Sequence, residues 1–196
     1  LTTALKRDRL TEAEIGPAIA SMRALNAGAA RAARAAGVRA ATDITGFGLL
    51  GHLGNILAGS HVGARVDVAR LPILPGALEL IAAGAIPGGS NLAAELWVAN
   101  LPVLEHARQM AAEGMVPGGT ARNLEAASVL TTYDADVTPA ERILLSDAQT
   151  SGGLLLAVRA ERLDQLLAAL KREATPAVAV VGQLVEGAIG SVRVSS

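Results

Sequence analysis

The chain has 196 residues, 51% hydrophobic and 18% charged, and its 17 Lys and Arg against 18 Asp and Glu leave a net charge of -1. That is enough apolar material for one sizeable core, and the absence of a basic surplus, together with 2% aromatic residues, argues against nucleic acid and an anionic membrane surface as partners. With no cysteine, disulfides, thiolate metal sites and a thiol nucleophile are excluded within these residues.

No apolar run approaches the roughly 20 residues that span a bilayer, and nothing before Thr11 has the charged head and apolar core of a signal peptide. A soluble, cytoplasmic domain is expected. Leu rather than Met stands at position 1, so the expectation is a single domain cut from a longer protein.

In chain order, Thr11 followed by Glu12 and Glu14 reads as a helix start, because a hydroxyl and early acids satisfy the free N–H groups of a first turn. Ile15, Ile19, Met22, Ala29, Ala33 and Ala36 then fall on helical spacing, with a break offered by Gly28 and a stop by Gly37. One broken helix or two short ones are predicted. Residues 38–44 read as a short strand that runs into the loop Thr45-Gly46-Phe47-Gly48, after which Leu49, Leu50, Leu53, Ile56 and Leu57 mark an amphipathic helix ending at Gly59.

Further strands are predicted at 62–68, 129–133, 154–158, 177–181 and 189–194, and helices at 75–83 and 162–173. The last of these turns Leu163, Leu166, Leu167 and Leu170 inward. Strands and helices alternate throughout, so the fold class is α/β, or an α+β sandwich, with a mixed sheet covered by helices.

A repeat occurs at an offset of thirty residues: Leu71-Pro72-Ile73-Leu74, Gly84 and Pro87-Gly88-Gly89-Ser90 return as Leu101-Pro102-Val103-Leu104, Gly114 and Pro117-Gly118-Gly119-Thr120. Two copies are too few for a solenoid. A local duplication of a helix and its loop is the simpler account, with residues 71–100 as an extra layer.

The segment from Ala41 to Leu53 carries the most chemistry. An acid at a strand end, then glycines that admit a ligand to the backbone, then a helix N-terminus, suits a Mg-phosphate group. From the residues alone, the reading in which Asp43 caps the helix and the glycines merely turn the chain is the favoured one, because short Gly-rich turns are weak signals. Thr150-Ser151-Gly152-Gly153 could present N–H groups and hydroxyls to phosphate, or could simply turn the chain into a buried strand. Asp134 and Asp136 read as solvated turn residues, and Trp97 as a packing residue.

The run Thr42-Asp43-Ile44-Thr45-Gly46-Phe47-Gly48-Leu49-Leu50-Gly51-His52 resembles the hallmark of the selenophosphate synthetase (selenide, water dikinase) family. Leu25-Asn26, the run from Pro117 to Asn123, the run from Asp147 to Leu155, and Val180-Val181-Gly182-Gln183-Leu184 match it in order along most of the chain. The resemblance implies the C-terminal domain of the aminoimidazole ribonucleotide synthetase-like ATP-binding superfamily. It also implies an enzyme that turns selenide, ATP and water into selenophosphate, AMP and phosphate, using Mg2+ and in many members K+.

By the same resemblance Asp43 is a Mg2+ ligand. Thr45, Gly46 and Gly48, Gly118, Gly119 and Thr120, and Thr150, Ser151 and Gly152 form phosphate-facing loops. His52 is expected to be a packed or surface residue rather than a catalyst. The implied partner is the protein's own N-terminal ATP-binding domain, which forms the homodimer and carries the Cys or selenocysteine, the adjacent Lys and the other acids. No catalytic residue is therefore assigned within these 196 residues, and they are not expected to turn over alone. Two alternatives stand beside this reading: another ATP-dependent enzyme of the superfamily, from which the Phe47-Gly48 region differs, and a non-catalytic binding or assembly module.

Overall fold

The computed structural model of the protein describes residues 1–59 and 92–195. The strand expected at 62–68, the helix at 75–83 and the first copy of the repeat lie outside the described residues. Among them, the N-terminal part is helical: α1 (Thr2–Lys6), α2 (Gly16–Arg23) and α3 (Ala27–Ala35).

Thr11 opens a turn rather than the helix expected there, since α2 begins only at Gly16, after Ile15. Its hydroxyl accepts the N–H of Glu14 at 3.3 Å, and the Glu14 carboxylate accepts the N–H of Thr11 at 2.8 Å, a reciprocal cap that satisfies two otherwise free donors. The break between the two longer helices falls at Ala24, whose backbone is extended, and Gly28 sits inside α3. Gly37, at φ 70°, ends α3 in the left-handed conformation that glycine adopts without strain.

β1 (Ala40–Asp43) pairs antiparallel with β4 (Leu154–Ala157), and the register sets Asp43 opposite Leu154. α4 (Gly48–Gly59) follows the loop after β1. Its buried Leu50, Leu53 and Leu57 pack on one face of a second, four-stranded sheet, in a core with Ala94, Leu96, Val98, Val137, Leu145, Val192 and Val194. The three- and four-residue leucine spacing is thus the stripe that docks α4.

That second sheet runs β3 (Thr131–Tyr133), β6 (Val192–Ser195), β2 (Leu92–Trp97), β5 (Gly182–Glu186). β6 is parallel to both β3 and β2, while β5 is antiparallel to β2. Two expectations are corrected here. Residues 92–100 do not belong to an extra layer, since 92–97 form a strand flanked on both sides by partners.

The strand expected at 177–181 instead occupies 182–186, because the ladder with β2 begins at Leu96 opposite Gly182. The Val-rich run before it lies beyond the end of β2 and is held by the bond from the Trp97 N–H to the Val181 carbonyl, at 2.8 Å, and by the Asn100 amide donating to the Val180 carbonyl at 2.9 Å. Glycine is needed where the ladder starts, since a Cβ at Gly182 would run into the Glu95 carbonyl.

Among the described residues the remaining α-helices are α5 (Ala107–Ala112), α6 (Gly118–Ser128), α7 (Pro139–Leu145) and α8 (Leu163–Arg172). Thr138 and Glu141 cap α7 reciprocally, with Pro139 in its first turn. α8 packs Leu166, Ala169 and Leu170 on Ala32 and Ala36, with Leu156 and Val158 of the β4 segment against the same cluster. The two-stranded sheet is thereby held between α3 and α8 on one side and the α4 layer on the other.

Candidate functional site

At the open end of β1 the chain leaves the sheet at Asp43. This carboxylate is exposed, and no described side chain or backbone group donates a hydrogen bond to it. The next residues continue the pairing with the segment before β4: the Ile44 N–H donates to the Gly153 carbonyl at 3.0 Å, and the Gly152 N–H donates to the Ile44 carbonyl at 2.9 Å. A Cβ at Gly152 would lie 2.6 Å from that carbonyl oxygen, so the approach of the two segments is closed to any side chain.

The turn from Thr45 to Gly48 is tied from several sides. The Thr45 carbonyl accepts the N–H of Gly48 at 3.0 Å and that of Gln149 at 3.1 Å. Gly48 combines a φ of 69° with a place where a Cβ would lie 2.6 Å from the backbone of Ser146. Glycine is required there twice, by torsion and by space.

His52, one turn into α4 and 7% exposed, points back at this turn. Its Nε2 lies 3.1 Å from the Thr45 nitrogen and accepts that N–H, with the Thr45 hydroxyl at 3.2 Å, while Nδ1 lies 3.4 Å from the Thr42 hydroxyl. The imidazole braces the turn and is packed, as expected of a buried histidine. Phe47, by contrast, is 62% exposed, and its ring tilts over His52 with the ring centres 5.7 Å apart.

The Pro117 segment forms the start of α6 rather than a loop. Pro117 is extended and Gly118 and Gly119 are the first helical residues, with no side-chain cap and no acid in the first turn. Thr120 faces inward: its hydroxyl donates to Asp147 Oδ1 at 3.0 Å and accepts the Ala148 N–H at 3.2 Å. One turn along, the Asn123 amide donates to the Gly46 carbonyl at 2.8 Å and to the Ser146 carbonyl at 3.1 Å.

Asp147 also accepts from the Gln149 amide at 2.8 Å. Burial pushes its carboxyl above the ordinary aspartate range, against the opposing pull of the Thr120 and Gln149 hydrogen bonds. Beyond it, Thr150 is exposed and Ser151 half-buried, and neither side chain hydrogen-bonds to a described residue. The Asn26 amide reaches across to the Gly152 carbonyl at 3.2 Å.

The fold therefore brings together the three segments that sequence singled out, residues 43–48, 118–120 and 150–152, and adds Asn26, His52, Asn123 and Asp147 as the groups that tie them. Thr120 has both hydrogen-bonding roles of its hydroxyl filled from inside the protein. The i, i+3 spacing of Thr120 and Asn123 puts them on one helix face, which is the signal by which Asn123 could have been picked out.

Asp134 forks with Arg193 at 3.0 and 3.1 Å, a bidentate pair on the second sheet. Among the described residues no three His, Asp or Glu side chains gather closely enough to hold a metal. Asp43 thus fits a Mg2+ only as one oxygen ligand in a set completed by phosphate, water and groups from elsewhere.

The chain matches the family described as AIR synthase related protein, C-terminal domain, over residues 3–195. It is 37% identical over 194 residues to a selenide, water dikinase of Photorhabdus laumondii, covering 99% of this chain and 46% of that protein. It is 37% identical over 189 residues to one of Pseudomonas aeruginosa, covering 95% and 44%, and 40% identical over 172 residues to one of Bordetella bronchiseptica, covering 86% and 40%. The chain spans less than half the length of these relatives. Among the described residues no helix is long and apolar enough to cross a membrane.

Proposed function

The chain belongs to the AIR synthase related proteins, as a C-terminal domain of that family, and from that premise we propose that it serves a cytoplasmic selenophosphate synthetase. The reaction is the conversion of selenide, ATP and water to selenophosphate, AMP and phosphate. The observation that carries the reading is the exposed, unpartnered carboxylate of Asp43 at the mouth of a turn built from Thr45, Gly46 and Gly48, beside the open first turn of α6 and the free hydroxyls of Thr150 and Ser151.

In this reading Asp43 contributes one oxygen to a Mg2+ that neutralises charge on the phosphate chain. Gly118 and Gly119 offer unpaired N–H groups of a helix start to phosphate oxygens, and the hydroxyls of Thr150 and Ser151, which bond to no described residue, are further donors in the proposed site. Thr45 and Gly48 shape the turn, and Gly152 lets the 150–152 loop approach Ile44. K+ and the N-terminal ATP-binding domain of a homodimer complete the proposed assembly. The Thr42–His52 run favours this enzyme over other ATP-using members of the family.

Asp43→Asn in the full-length enzyme tests the assignment. The substitution keeps size and removes the charge, so selenide-dependent AMP formation should fall by about 100-fold or more. Activity within about threefold of wild type in a correctly folded variant removes Asp43 from the metal site.

A further inference from the structure

We infer that Asn123 is a positioning residue for the proposed Mg2+ site: its single amide locks the turn that follows Asp43 to the end of α7. The inference rests on the reading of Asp43 given above.

Two observations carry it. Asn123 Nδ2 donates to the Gly46 carbonyl at 2.8 Å and to the Ser146 carbonyl at 3.1 Å, 77 and 23 residues away in sequence. Among the described residues no other side chain hydrogen-bonds both to the 45–48 turn and to the 146–149 segment. At the same junction Gly48 lies against the Ser146 backbone so closely that a Cβ would stand 2.6 Å from its carbonyl carbon.

Two backbones in contact present carbonyls that cannot bond each other. A primary amide, with two N–H groups in one plane, is a group that can serve both. Thr120, on the same face of α6, holds Asp147 and Ala148, so the helix staples the second loop while Asn123 reaches past it to the first. Backbone bonds from Ile44 to Gly153, from Gly152 to Ile44 and from Gln149 to Thr45 already join the strand end to the second loop; Asn123 adds the side-chain tie at Gly46, on the far side of the turn, and so acts on Asp43 by position.

The test uses the full-length protein with Asn123→Asp, which keeps the shape but turns both donors into an acceptor, and Asn123→Gln, which keeps the amide. Asn123→Ala stands in if the Asp variant does not fold, and Glu125→Ala on the exposed side of α6 is the control. Two readouts are taken: amide hydrogen exchange at residues 45–48 in metal-free protein, and the Mg2+ concentration giving half-maximal AMP formation.

Loss of both donors should speed exchange at 45–48 about tenfold and raise half-saturating Mg2+ about tenfold, with kcat at saturating Mg2+ changed far less. Asn123→Gln should recover most of both, and Glu125→Ala should change neither. Unchanged exchange, or faster exchange with an unchanged Mg2+ requirement, overturns the inference. Should wild-type protein form no AMP from ATP and selenide, the proposed function falls, and the exchange measurement alone then decides whether Asn123 holds the turn.

Discussion

Thr120 and Asp147, 27 residues apart, share a hydrogen bond of 3.0 Å in which the threonine hydroxyl donates to the Oδ1 of a half-buried carboxylate. The hydroxyl in turn accepts the Ala148 N–H, so one side chain, itself 1% exposed, satisfies a charge and a backbone donor together. The loop that carries Thr150 and Ser151 hangs from this joint.

Thr120→Val keeps the volume and removes both bonds. It should cost about 2–3 kcal/mol, the range for losing a hydrogen bond to a charged group while a buried donor is orphaned. Thr120→Ser should stay within about 1 kcal/mol of wild type. Urea unfolding of the two variants side by side checks this, and equal losses would show that the two hydroxyl bonds matter no more than the methyl.

Asp147 also predicts a pH dependence. Its folded-state pKa lies above the ordinary 3.8, chiefly through burial, so the folded protein holds this proton more tightly than the unfolded chain does. Stability from this group is then greatest at low pH and declines as pH rises from the ordinary value through the raised one, levelling off above it. Relative to wild type, Asp147→Asn should gain stability as pH climbs through that window. Parallel unfolding curves across the acid range, with no divergence, would contradict it.

Glycines of the site should differ sharply from one another. Gly152→Ala places a Cβ 2.6 Å from the Ile44 carbonyl, and backbone against backbone has nowhere to yield, so a loss of about 2–3 kcal/mol is expected. Gly118, with open space around it at the first position of α6, should accept Ala with a change below about 1 kcal/mol, in the stabilising direction. Thermal melts of both variants distinguish them. Any effect of Gly118→Ala on MgATP affinity without a change in melting temperature would support its place at the phosphate.

His52→Leu removes the acceptor for the Thr45 N–H and leaves that donor beside an apolar group. The expected cost is about 1–3 kcal/mol, concentrated in the 45–48 turn, so hydrogen exchange should accelerate there before it does in α8. Uniform acceleration across the domain would mean that the imidazole acts as core filling and not as a brace.

Much of this arrangement follows from local pattern. The leucine stripe of α4, the inward leucines of α8, the stop at Gly37 and the order strand, acid, glycine turn, helix around Asp43 are visible because helical periodicity and left-handed glycine torsions involve near neighbours only. The motif residues of all three site segments are equally legible as residues. Their division of labour is not: Thr120 and the glycines beside it look alike in sequence, yet one turns inward to Asp147 and the others open a helix.

The chain alone set where α4 and α8 run, where α3 stops and where the acid and glycines fall, since those depend on torsions and spacing within a few residues. Only the packed structure decided that Leu92–Trp97 is flanked by strands on both sides, that the fifth strand starts at Gly182, and that Asn123 reaches Gly46 across 77 residues. Each of those depends on which backbone donors and acceptors meet once α4 has docked on the sheet, and a hydrogen bond between distant residues has no local pattern to announce it.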